Sequence, residues 1–300
     1  MTENSGIILI DKPRGFTSQD AVNVVRRLYG TRECGHAGTL DPMATGLLVV
    51  LVGRAVKASE YAASASKTYV AEMKLGIETD TEDTSGTVLA KSGAIPEKYE
   101  VLAAVSSFFG ESLQTPPMYS AKKVGGKKLV DIARSGNVVE REPVKITVSK
   151  ISAEMISSDT YSLIAEVSKG TYIRTLCADI GRKLGCGAAM SALRRTAAGG
   201  FSVDGAYTLE ALGAMSEDER RKALLSVWSL FRGLPVVQLP AFYDRLAKNG
   251  AEIYESKVDL HFKVGQRLIL ADGTGKYALA EVKPYPDGAA VKALKFLETR

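Results

Sequence analysis

Residues 47–52 read Leu-Leu-Val-Val-Leu-Val, six apolar residues without a polar break, and they follow directly on a polar, glycine-punctuated stretch at 33–46. The run falls far below the ~20 residues of a bilayer crossing, and its lack of alternation fits a strand buried on both faces. Any fold this chain adopts must sandwich that strand. The loop in front of it is then held at the end of a rigid element, where binding and catalytic side chains are commonly carried.

The chain has ample material for such a core. Its 300 residues are 45% hydrophobic and 24% charged, which excludes disordered and low-complexity classes and suggests about two domains. No basic segment followed by an apolar one opens the sequence, so a soluble, unprocessed, cytoplasmic protein without membrane contact is expected. Three cysteines, Cys34, Cys177 and Cys186, cannot all pair and are expected as thiols. With no CxxC and only two histidines, His36 and His261, a structural zinc site has no ligand set. The net charge of +5 is compatible with a polyanionic partner without requiring one.

Local patterns predict an α+β protein. A strand begins at Gly6 and stops in Asp11-Lys-Pro-Arg-Gly15; Thr17, with Asp20 three residues on, caps a helix carrying Val22, Val25 and Leu28 before Gly30. Residues 68–75 alternate as a half-buried strand, Pro96 opens a helix carrying Leu102, Val105 and Phe109, and a short helix at 127–134 precedes Gly136. Strands are expected at 144–151 and 161–167. Thr171 is then expected to cap a helix with Ile173, Leu176, Cys177, Ile180 and Leu184 on one face. A further helix is expected at 216–231. Beyond Gly233-Leu-Pro the turn signals at Asp272-Gly, Gly275 and Asp287-Gly suit a small β-barrel.

Several side chains could carry chemistry. Asp41 precedes a proline in the 33–46 loop; an isolated Asp-Pro is ordinarily a turn initiator, but His36, Gly38, Thr39, Thr45 and Gly46 crowd the same loop. Arg174 is either a solvated helix residue or the partner of a carboxylate on another loop. Tyr69 is either a core aromatic or a ring for a flipped base. Residues 168–203 hold Lys169, Arg174, Arg182, Lys183, Arg194 and Arg195 against one acid, Asp179, and Lys122, Lys123, Lys127 and Lys128 cluster near Tyr119. Two basic clusters, each beside a tyrosine, favour RNA as the partner. The acidic stretch 78–86 lacks the spacing of a calcium loop and reads as a turn.

The segment Gly35-His-Ala-Gly-Thr-Leu-Asp-Pro-Met-Ala-Thr-Gly-Leu-Leu48 resembles the catalytic motif of the bacterial tRNA pseudouridine synthase B family. Asp11-Lys-Pro-Arg-Gly15, Lys67-Thr-Tyr-Val70, the acidic stretch at 75–83, Gln114-Thr-Pro-Pro-Met-Tyr-Ser-Ala-Lys122, Ser168-Lys-Gly-Thr-Tyr-Ile-Arg-Thr175 and Leu193-Arg-Arg195 resemble further family motifs, in the family's order. Val56 stands where the family usually has threonine.

The resemblance implies a pseudouridine synthase fold, a mixed sheet flanked by helices around a central cleft, over residues 1–233, with a PUA-like RNA-binding barrel at 234–300 and a thumb-like insertion at about 120–143. It implies isomerisation of uridine 55 in the T loop of tRNA by base flipping, without metal or cofactor, by a monomer without an obligate protein partner. Asp41 is then the catalytic aspartate, Arg174 its ion-pair partner and Tyr69 the ring against the base. His36 would fill the space the base vacates, and Lys12, Tyr172, Lys122, Arg194 and Arg195 would contact substrate. Cleavage of the glycosidic bond needs an ionised carboxylate beside C1′, a form that a paired arginine favours. A non-catalytic RNA-binding protein and a guide-RNA-dependent, dyskerin-type synthase are the competing readings.

Overall fold

The computed structural model describes residues 4–298. Its main sheet runs, strand beside strand, through Gly6–Lys12, Thr45–Val52, Ala188–Ala198, Lys67–Leu75, Thr160–Val167, Val144–Met155 and Gly110–Gln114, with Cys34–His36 and Phe201–Ser202 paired at its side. The sheet is mixed. Ala188–Ala198 meets Thr45–Val52 in parallel, at Arg194 opposite Thr45 and Arg195 opposite Gly46, whereas its pairing with Lys67–Leu75 is antiparallel.

The apolar run at 47–52 lies inside Thr45–Val52 and is covered on both faces, as its composition requires. Leu48, Val50 and Val52 pack with Ile8, Ile10 and side chains of the helices Ser18–Leu28 and Ile173–Leu184. Leu47, Val49 and Leu51 pack the other way, against Ile7, Leu9, Trp228 and Phe231. Full burial of such side chains contributes about 1.5–3 kcal/mol each, so this strand anchors the sheet. Gly46 permits the parallel contact: its φ is +97°, and a Cβ there would stand 2.3 Å from the Arg195 carbonyl oxygen.

The first helix, Ser18–Leu28, begins with the expected reciprocal cap, the Asp20 amide donating to Thr17 Oγ1 at 3.1 Å and the Thr17 amide to Asp20 at 2.9 Å. Ile173–Leu184 begins differently from expectation. Its N-cap is Tyr172 rather than Thr171, and the Tyr172 amide donates instead to Gln114 Oε1 at 2.8 Å.

The helix after Pro96 covers Lys98–Ser106 and turns Val101, Ala104 and Val105 inward, leaving Phe109 beyond its end and exposed. The single helix expected at 216–231 is interrupted. Glu217–Ala223 is helical, then Leu225 exchanges two 2.8 Å backbone bonds with Ile7, and Val227–Phe231 forms a 3-10 turn. The open edge of Gly6–Lys12 supplies partners that outweigh the helix. In the basic loop, Lys123–Val124 and Lys127–Lys128 pair as a small hairpin before the helix Leu129–Arg134; the Lys123 side chain lies outside the described residues.

The C-terminal segment forms a second sheet in the order Val236–Gln238, Arg267–Asp272, Gly275–Tyr285, Gly288–Phe296, Ile253–Tyr254. Alternation divides its side chains. Leu268 and Leu270 join its own core with Val237 and Tyr277, while Ile269, Leu279 and Leu297 pack with Leu47, Val49 and Leu51 of the main sheet.

Gly46→Ala should therefore destabilise the chain by more than 2 kcal/mol in urea denaturation, the combined cost of left-handed backbone and a clash against backbone atoms. A midpoint equal to wild type would contradict the packing described for this loop.

Candidate active site

The loop between Cys34–His36 and Thr45–Val52 is pinned from two sides. Ser18, buried in the first turn of its helix, accepts from the Leu40 amide at 2.8 Å and donates to the Leu40 carbonyl at 3.1 Å. Arg195, with no exposed surface, reaches across from the central strand and donates to the carbonyls of Leu47 at 2.7 Å, Gly38 at 3.1 Å and Thr39 at 3.4 Å. Between these clamps stands Asp41.

Arg174 meets it from the helix Ile173–Leu184. Its Nε lies 2.9 Å from Asp41 Oδ2 and its Nη2 3.5 Å from Oδ1. The remaining donors go to the Thr81 carbonyl at 2.9 Å and the Tyr119 carbonyl at 2.8 Å, with Asp83 Oδ2 3.7 Å from Nη1. The guanidinium side chain is 6% exposed and the carboxylate 36%, so the arginine is a fixed backing and the acid faces the opening. Such a buried, many-bonded guanidinium holds one orientation.

The two side chains border a cleft of about 250 Å³, also lined by Tyr69, Lys67, Ser120 and Tyr172. Drug-sized ligands occupy roughly 300–1,000 Å³, so this space suits one nucleoside rather than a length of RNA. Tyr69 is buried beside it, its ring centroid 6.0 Å from the Arg195 guanidinium carbon. Tyr172 is fixed by Gln114, whose side chain accepts from its amide at 2.8 Å and donates to its carbonyl at 3.1 Å.

Of the expected contacts, Lys12, Arg194 and His36 lie outside the cleft lining, while Arg195 borders the cleft with its donors already committed. Lys12 is fully buried outside the cleft lining, its Nζ donating to the Pro13 carbonyl at 2.9 Å and the Phe16 carbonyl at 2.6 Å, where desolvation brings its pKa down to about 8. It holds the turn beneath the Asp41 loop. Arg195 is committed to that loop and cannot reach phosphate. Arg194 is partly exposed but paired bidentately with Asp11 at 2.7 and 3.0 Å, which neutralises it. His36 pairs with Val50 in the sheet, outside the cleft lining; burial, with Arg195 nearby, holds its pKa below the usual imidazole value. Lys122 is half-buried beside the cleft residue Ala121, and its carbonyl accepts from the Leu129 amide at 2.8 Å.

Sequence reasoning overlooked Ser18, Lys67, Gln114 and the turn residues Thr81 and Asp83. Lys67, Gln114 and Thr81 fall within segments matched to family motifs, but nothing in those segments marks the residues themselves, since they and Ser18 work through backbone partners. The acidic stretch offered a signal in its cluster of carboxylates, but was read as a turn and as a motif match, with no role given to its residues.

A family model described as TruB family pseudouridylate synthase, N-terminal domain, matches residues 26–173, and one described as tRNA pseudouridylate synthase B C-terminal domain matches 174–231. A tRNA pseudouridine synthase B from Ralstonia nicotianae is 44% identical over 252 residues, 83% of this chain and 80% of that protein. The chain belongs to the TruB family.

Another member, the tRNA pseudouridine synthase B of Aromatoleum aromaticum, is 43% identical over 245 residues, 82% of this chain and 80% of its own. Among solved structures, a chain of a Cbf5-Nop10-Gar1 complex is 26% identical with a TM-score of 0.75, covering 99% of this chain and 86% of its own. A chain of an archaeal box H/ACA sRNP Nop10-Cbf5 complex is 25% identical with a TM-score of 0.72, covering 99% and 88%. The pseudouridine synthase fold expected from the motifs is thereby the fold of this TruB-family chain.

The two adjacent arginines should separate in a denaturation experiment. Arg195→Met removes a buried guanidinium from the Leu47 carbonyl, which is buried, and from the Gly38 and Thr39 carbonyls of the loop, and should cost more than about 2 kcal/mol, at about 1–3 kcal/mol for a buried group left unpaired plus the lost packing. Arg194→Met removes a partly exposed pair and should cost under about 1 kcal/mol. Equal urea midpoints for the two variants would contradict the clamp.

Proposed function

We propose that this chain isomerises uridine 55 in the T loop of tRNA to pseudouridine, with Asp41 as the catalytic carboxylate. The observation that carries the reading is the Asp41–Arg174 pair, acid outward and arginine sealed behind it, at the wall of a nucleoside-sized cleft. Relatives named for this reaction, 43–44% identical over most of their length, support the substrate.

The uridine turns out of the RNA and enters the cleft with its base against the Tyr69 ring. The C1′–N1 bond breaks, its electron pair leaving with the base while Asp41 meets the positive charge that develops at C1′. The base turns so that C5 faces C1′, the C1′–C5 bond forms, C5 loses its proton and N1 gains one. Atoms and charge balance without oxidant, reductant or water. Tyr172, Ile173 and Leu193 wall the cleft and limit the routes by which a detached base escapes. His36, outside the cleft, is placed in the RNA to occupy the gap left by the flipped nucleotide.

Residues 1–233 form the catalytic domain in this reading and residues 234–300 a PUA-like RNA-binding domain. The segment at about 120–143 closes over the T loop, and the exposed Lys127 and Lys128 together with Lys122 contact phosphate. The enzyme acts in the cytoplasm as a monomer without an obligate protein partner. Higher identity to proteins named tRNA pseudouridine synthase B than to chains of Cbf5-containing complexes favours this over guide-RNA dependence.

Asp41→Asn should abolish pseudouridine formation on an unmodified T-arm stem-loop, by at least about 10³-fold in single turnover, with RNA binding retained. A variant that converts the stem-loop at the wild-type rate would refute the assignment. Lys127→Ala with Lys128→Ala should weaken binding and flatten its dependence on salt by about one unit of slope per lost contact.

A further inference from the structure

Lys67 enters the site in a way the ion pair does not explain. It lies on Lys67–Leu75 two residues before Tyr69 and on the same face of the strand, is 7% exposed, and lines the cleft. Its Nζ donates to the carbonyls of Ala65 at 2.8 Å and Ala63 at 3.1 Å, which uses two of its three N–H groups. The charged groups bearing on it are Arg195 and Lys169, both cations. Arg195 in turn is spent on carbonyl oxygens. Lys67 forms no ion pair among the described residues, and Asp41, the carboxylate lining the same cleft, is paired with Arg174; a buried ammonium beside a buried guanidinium is costly unless an anion arrives.

Across the same cleft Ser120 Oγ is buried without a hydrogen-bond partner among the described residues. One uncommitted donor and one unpartnered hydroxyl in a single nucleoside-sized space define a polar contour that a pyrimidine edge can fill.

We propose that Lys67 is a further catalytic residue: its free N–H meets the pyrimidine in the cleft and stabilises the negative charge the base carries while the C1′–N1 bond is broken. The inference rests on the isomerase reading above. The pair leaving C1′ becomes a charge spread over N1, O2 and O4, and it is discharged when C5 bonds to C1′ and the C5 proton is replaced by one on N1. A fixed cation in a dry wall is worth most where charge appears only in the transition state. Burial, with Arg195 and Lys169 adding to it, brings the Lys67 pKa to about 8, so the ammonium form predominates at neutral pH and is lost just above it.

The test is single-turnover pseudouridine formation on the T-arm stem-loop by the full chain, with Kd measured separately. Lys67→Met should slow the bond-making step by about 10²–10³-fold at pH 7, with Kd within about threefold of wild type. Wild type should lose rate above pH 8, and Lys67→Arg, which keeps its charge, should carry that loss to higher pH. Lys12 also titrates at about 8, but its contribution would persist in Lys67→Arg.

Three results would overturn the role: Lys67→Met at wild-type rate, a loss expressed only in Kd and its salt dependence, which would assign Lys67 to a backbone phosphate, or a wild-type rate flat to pH 9.5. The last needs no variant, so the role can still be overturned if the substitutions prevent folding. A wild-type chain that makes no pseudouridine would refute the function itself; an active wild type with an unaffected Lys67→Met refutes only Lys67.

Discussion

Arg174 is where the site is assembled. Its guanidinium takes the Asp41 carboxylate from one loop, the Thr81 carbonyl from the acidic turn and the Tyr119 carbonyl from the stretch leading into the basic hairpin, with Asp83 close behind. Three segments far apart in sequence are thus tied to one planar group at the start of one helix. The fork geometry of arginine permits this; a lysine ammonium in the same place could not face all of them at once. The helix start is itself set by Gln114, which grips the Tyr172 backbone from both sides.

The surrounding charge is arranged against stability. Lys12 and Lys67 both titrate at about 8 rather than 10.5, chiefly through burial, so their protonated forms oppose folding at neutral pH. Because their folded-state pKa values are depressed, their contribution to stability improves as pH rises from about 8 towards 10.5. A fall in activity over the same interval therefore does not arise from unfolding caused by these groups. Positive charge stored around one outward-facing carboxylate suits a reaction that separates charge between a sugar and a base.

Much of this was legible in the sequence because it rests on local rules. The 47–52 run needed two covered faces and has them, the Thr17–Asp20 cap formed as its spacing implies, and the 68–75 alternation gave the face that carries Tyr69. Asp41 and Arg174, 133 positions apart, could be joined only through the motif resemblance. The strand Ala188–Ala198 was not anticipated, since its alanines and adjacent arginines show no alternation and its place between two strands is a tertiary effect. That blind spot misled the reading of Arg195: a basic residue in sequence looks like a phosphate contact until its strand is seen to run through the middle of the sheet. The helix expected at 216–231 failed for a similar reason, because the edge of Gly6–Lys12 recruited Leu225.

A TruB-family chain on a pseudouridine synthase fold, with an acid presented at a nucleoside-sized cleft, makes a geometric claim about where the sugar must lie. The direct measurement is the structure of this chain bound to a T-arm stem-loop whose target uridine has been trapped before turnover. The account predicts an extruded nucleotide with C1′ about 3–3.5 Å from an Asp41 carboxylate oxygen and its base against Tyr69. A uridine still stacked in the loop, or one bound with its sugar turned away from Asp41, would contradict it.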